Sequence, residues 1–93
     1  MYLIKSPVPV GQSISVTTGT VTHALGRAGG PFVLDNRGGS DVFVALGGAS
    51  ISAATATSLR VKTGDQILVE AGNATHIAVI GSGASTLVLT PFM

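Results

Sequence analysis

Apolar residues that alternate with a period of two, broken by turn residues at nearly regular intervals, narrow the folds open to this chain more than anything else in it. In residues 57–62, Leu59 and Val61 point one way, and Ser58, Arg60 and Lys62 the other. In residues 65–71, Ile67, Val69 and Ala71 share a face opposite Gln66, Leu68 and Glu70. In residues 85–90, Leu87 and Leu89 oppose Thr86, Val88 and Thr90. Successive side chains of a strand leave opposite faces of the sheet, so this pattern predicts strands with one buried face. No stretch sustains the apolar spacing of a helix.

Two other segments, 41–46 and 75–80, are apolar on both faces and echo one another, DVFVALGG against THIAVIGSG. Strands of that kind belong at the centre of a sandwich or against another subunit. Segments 12–16, 20–25 and 32–35 complete a set of about eight short strands, spaced as in all-β sandwiches and barrels. Between them lie Asn36-Arg37-Gly38-Gly39-Ser40, Thr63-Gly64-Asp65, Ala71-Gly72-Asn73 and Gly81-Ser82-Gly83. These residues tolerate positive φ, as tight hairpin turns require. Residues 48–56 are expected to be a loop or bulged edge crossing between sheets. The predicted fold is all-β, a compact antiparallel sandwich or barrel that is jelly-roll-like.

The 93 residues predict one domain, 11–93, preceded by an extended arm, 1–10. Pro7 and Pro9 cannot donate from a central strand, which fits an arm or an edge. Both ends are apolar, with Tyr2, Leu3 and Ile4 at one and Phe92 and Met93 at the other. Such ends fray unless docked, so Tyr2, Leu3, Ile4 and Phe92 are candidate contacts to a partner or a second copy. The N-terminus lacks the apolar stretch of a signal peptide, which predicts use without classical secretion. The apolar runs are far too short to span a bilayer as a helix.

Charged residues make up 10% of the chain, against roughly 25% in an ordinary soluble domain. Ser, Thr and Gly take their place. A surface this poor in charge is either a neutral hydroxyl surface or one that partners cover. Cysteine is absent, which removes disulfides and thiolate chemistry.

The residues that could carry chemistry are few. His23 and His76 stand on predicted strands with threonine neighbours and no second ligand nearby, so half-buried histidines bonded to threonine or backbone are expected, and no metal site. Asp35 and Asp41 flank one turn and could face each other across a hairpin. An acid–base pair also needs a cleft that shifts their pKa values, and turn-forming aspartates are expected instead. The Gly-x-Ser-x-Gly, dinucleotide and phosphate-loop patterns are missing. No catalytic residue, cofactor or enzyme activity is predicted. The four aromatics are not interleaved with the five basic residues, so no nucleic-acid surface is expected. Arg60 and Lys62 share one strand face, either solvated or in contact with an acidic patch on a partner.

The turns and strands of residues 36–92 also form a pattern. An Asn36-Arg37-Gly38 turn leads to Val42-Phe43-Val44-Ala45-Leu46-Gly47 and then to a Ser/Thr/Ala-rich stretch over 50–57. Gly64, the histidine-bearing strand 75–80, Ser82-Gly83 and a final strand closing on Thr90-Pro91 follow. This resembles small tailed-bacteriophage virion proteins of the capsid decoration, or cement, type. The likeness spans about two-thirds of the chain, and the N-terminal third departs from it, residues 1–10 above all. It implies a structural protein of the virion, made in the host cytoplasm, that binds and stabilises the major capsid lattice. The partners implied are the major capsid protein and further copies of itself, with a trimer favoured. A tail, neck or fibre component of the same particle is the alternative. A carbohydrate-binding β-sandwich is a third reading, disfavoured by the shortage of aromatic platforms.

Overall fold

The computed structural model describes residues 12–26, 30–55 and 58–91. The expectations for the arm 1–10, for Tyr2, Leu3 and Ile4, and for Phe92 and Met93 lie outside the described residues. Every regular element described is a strand: β1 (Gln12–Val16), β2 (Val21–Ala24), β3 (Pro31–Asn36), β4 (Val42–Gly47), β5 (Leu59–Val61), β6 (Gln66–Glu70), β7 (His76–Gly81) and β8 (Ser85–Pro91). They form two antiparallel sheets, β1-β8-β3-β6 and β2-β7-β4-β5.

The order has a simple origin. β1 pairs with β8, β2 with β7, β3 with β6 and β4 with β5, as in one long hairpin. Rolling that hairpin up brings β3 beside β8 and β4 beside β7. This is the jelly roll, with two sheets and no helix needed. The two strands apolar on both faces, β4 and β7, are the paired centre of their sheet, so the DVFVALGG and THIAVIGSG echo is a pair of neighbours.

The core is the filled gap between the sheets. Ile14, Val16, Phe32, Leu34, Leu87 and Leu89 face Val42, Val44, Val61, Ile77 and Val79 across it, all essentially without solvent contact. Each full burial of this kind stabilises by roughly 1.5–3 kcal/mol relative to an exposed side chain. The inward faces predicted from alternation in β6 and β8 are the ones observed. In β5, Val61 is buried but Leu59 is 48% exposed, because it stands at the open end of a three-residue edge strand.

The turns differ from expectation. Only β4 and β5 are both consecutive and paired, so the other turns carry the chain from one sheet to the other and close no hairpin. Gly64 and Gly72 do take positive φ, but Gly38, Gly39, Gly81 and Gly83 do not. Gly38 is small for another reason. A Cβ there would run into Ser85 Oγ and the Thr86 backbone nitrogen of β8.

Residue 36 accounts for that close approach. Asn36 is fully buried. Its Nδ2 donates to the Ser40 and Val61 carbonyls at 2.8 and 2.9 Å. Its Oδ1 accepts from Ser85 Oγ at 2.7 Å and from the Gly38 N–H at 3.2 Å. Its backbone N–H donates to Asp65 O, and its carbonyl accepts from Gly64 N–H. A buried amide is tolerable when both ends are bonded, and this one joins strand ends from both sheets.

The connection from β4 to β5 is also not the crossing between sheets that the sequence predicts. It leaves and re-enters the same sheet, passing over its outer face as far as β2. There Thr22 Oγ1 donates to Ile51 O at 2.8 Å and Ala53 N–H donates to Thr20 Oγ1 at 3.2 Å. The outer face beneath is built small: Ala45, Ala78 and Thr22 form one cross-strand row, and Ala78 is fully buried. Gly47 leaves room for Ile51, whose side chain would lie 3.1 Å from a Cβ at that position.

Candidate interaction surface

The polar side chains are absorbed in pairs. Asp35 accepts from Arg37 Nε at 2.6 Å and, more weakly, from Gln66 Nε2 at 3.5 Å. Asp41 accepts from Arg60 Nε at 2.9 Å and Arg60 Nη2 at 2.7 Å, and from the Thr63 N–H at 3.2 Å. Their turn crosses between sheets, so the two carboxylates do not face each other across a hairpin. Each is engaged by an arginine of its own, and neither bonds its own turn backbone as a turn-forming aspartate would. The Thr63 backbone N–H and then Arg60 hold the Asp41 carboxyl below its ordinary value of 3.8, against the opposing effect of desolvation.

His76 Nδ1 meets Thr75 Oγ1 at 2.8 Å, the threonine partner expected. The partner of His23 differs from expectation: its Nε2 meets Gln12 Oε1 of β1 at 2.7 Å, tying the edge of one sheet to the edge of the other. Strand pairing across a sandwich leaves no local trace, so nothing near His23 in the chain points to Gln12. Among the described residues no group of three or more His, Asp or Glu side chains could hold a metal ion.

Of the predicted contact residues, Arg60 and Lys62 are described. Arg60 is exposed and paired with Asp41, and Lys62 is exposed with no ion pair to any described residue, its charge acting on Asp41 from a distance. The alternation of β5 sets Arg60 on the outer face of its sheet, where it heads the cross-strand row Arg60, Phe43 and Ile80.

The more telling group is apolar. Val21, Leu59 and Leu68 are the large hydrophobic side chains left exposed among the described residues. They lie on β2, β5 and β6, and all three are edge strands. A lone exposed hydrophobe needs no explanation, but edge strands present unpaired backbone groups as well, and the two together make a surface fit for another chain. The sequence reading missed Leu68 in this role because its position on an edge depends on the strand order.

No family model matches the sequence, and no curated protein matches it. Among solved structures, the hydroxypropylphosphonic acid epoxidase from S. wedmorenis in complex with fosfomycin superimposes with a TM-score of 0.56 at 17% identity. The match takes in 94% of this chain and 45% of the epoxidase chain, so the chain spans under half the length of that enzyme. At that identity the likeness concerns the fold alone.

Proposed function

We propose that this chain is a structural protein of a bacteriophage virion, a decoration or cement protein that binds the major capsid lattice and stabilises it. The observation that carries the reading is where the fold spends its residues. The gap between the sheets, where a jelly roll can hold a ligand, is filled by aliphatic side chains and Phe32, while exposed apolar groups sit on the strand edges, where other chains can reach them. The described carboxylates that could serve as acid or base include Asp35 and Asp41, both engaged by arginines. A protein built in this way offers surfaces to other proteins. Its partners are the capsid subunit and further copies of itself, with no enzyme activity and no cofactor.

Many modest contacts repeated over a lattice give strong attachment, because each bound copy or linked contact raises the effective concentration of the next. The test is the copy number of this chain in an intact particle, measured by quantitative mass spectrometry against the major capsid protein. Hundreds of copies are expected. Six or twelve would move the protein to the tail axis, and absence from the particle would end the virion reading.

A further inference from the structure

The four edge strands are not equally guarded. On β2, the hydroxyl of Thr22 and that of the preceding Thr20 are taken by the connection that folds over the sheet. β1 is tied to β2 through Gln12 and His23. β5 is only three residues long, carries Arg60, and gives its Val61 carbonyl to Asn36. β6 has none of these devices. It runs for five residues, Gln66-Ile67-Leu68-Val69-Glu70, without Pro, Lys or Arg. Its backbone bonds to β3 and to no other described residue, so its outward N–H and C=O groups have no partner among the described residues. Leu68, at its midpoint, is 56% exposed. An edge of this length, with its one charge, Glu70, at the end and an exposed leucine at the midpoint, is suited to pairing with another strand.

We propose that β6 is a self-pairing edge, and that two copies of the chain join through it as an antiparallel, two-fold β6–β6 ladder centred on Leu68. The sequence of the strand fits its own reverse. Antiparallel pairing about Leu68 sets Leu68 beside the same residue of the second copy. Ile67 meets Val69, and Gln66 meets Glu70. The Gln66 amide donates to the Glu70 carboxylate, and the two Glu70 charges stand at opposite ends of the ladder instead of facing each other. Cross-strand pairs of matched polarity are the unit of stabilisation in such a ladder, and a directly opposed like-charge pair would oppose it. The contact fuses the sheets into one of order β1-β8-β3-β6-β6-β3-β8-β1.

A two-fold contact of one patch with itself closes at two chains, so this edge makes a dimer and not the trimer that the family likeness favours. A five-residue ladder is small for a protein interface, which places it in the weak, reversible range. The contact rests on the self-association part of the proposed function and not on the identity of the particle.

Sedimentation equilibrium of the purified full chain tests it, from low micromolar to several hundred micromolar. The expected result is a monomer–dimer equilibrium, reaching twice the 9.2 kDa chain mass. Leu68→Lys should weaken dimerisation at least tenfold while thermal unfolding shows a folded domain. Gln66→Glu, which sets two carboxylates face to face, should weaken it several-fold at low salt and less at high salt. Gln66→Lys should strengthen it, and Val21→Lys, on a different edge, should leave it unchanged. A parent chain that stays monomeric throughout or forms a trimer overturns the proposal, and so does a Leu68→Lys variant that dimerises as well as the parent. A monomer that still binds capsids would remove this contact and leave the virion role standing.

Discussion

The residue that most shapes this molecule is an asparagine that sequence reading takes for an ordinary turn former. Asn36 opens the Asn36-Arg37-Gly38 turn, and its amide is the junction of β3, β8, the end of β5 and the following loop. The glycine two positions on is required because β8 passes against it. The Asn36-Arg37-Gly38 sequence thus has a physical basis: a buried hub and the space beside it. Asn36→Ala strands two carbonyls, a hydroxyl and an N–H, each at a cost of about 1–3 kcal/mol if it stays dry. With partial rehydration, a loss of about 3 kcal/mol in urea unfolding is expected. A loss below about 0.5 kcal/mol would mean that the hub is dispensable.

Asp41 gives a prediction of a different kind at the same scale. Because Thr63 and Arg60 favour its ionised form in the folded state, its contribution to stability is complete above the ordinary carboxylate value and is lost as pH falls through its lowered folded value. Asp41→Asn keeps an acceptor for the Thr63 N–H but has no charge to titrate. The mutant should therefore be less stable than the parent at neutral pH, with the gap closing in acid. The check is unfolding of both proteins at several pH values between neutrality and the acid limit of folding. A gap that does not depend on pH would show that the carboxylate charge has no part in it.

Among the elements, alternation locates the strands well because it is a local property. β1 is legible to the residue, and the inward faces of β6 and β8 follow from their sequence alone. The connections are not legible, because the same Gly, Asn and Ser residues serve a hairpin and a sheet crossing equally well. Which of the two forms depends on partners far along the chain, as when Asn36 meets Ser85. The strap between β4 and β5 is the clearest case. Its Ser/Ala/Thr composition has no pattern of its own, and only the small residues beneath it, Gly47, Ala45 and Ala78, reflect its path. If Thr22 fastens that strap, Thr22→Val should cost about 1 kcal/mol locally. Amide exchange at Ile51 and Ala53 should then rise about fivefold, with the core amides of β7 unchanged. Equal acceleration throughout would mean that the strap opens only with the whole domain.

For the whole molecule, the proposed function raises the question of which part would anchor it to a lattice. Among the described residues the sandwich already closes: β1 begins at Gln12, pairs with β8 over its full length, and has its inward side chains Ile14 and Val16 in the core. Residues 1–10 therefore supply none of the ladder pairs described, and the role proposed for their apolar side chains, Tyr2, Leu3 and Ile4 among them, is contact with a partner. Deleting residues 1–10 should leave the melting temperature within a few degrees of the full chain, since a loss of 1 kcal/mol shifts a domain of this size by roughly 4–8 °C. Binding to purified capsids should fall at least tenfold. If the shortened chain binds as tightly as the full one, the anchor lies on the domain itself, and the exposed edges around Leu59 and Leu68 become the surfaces to mutate next.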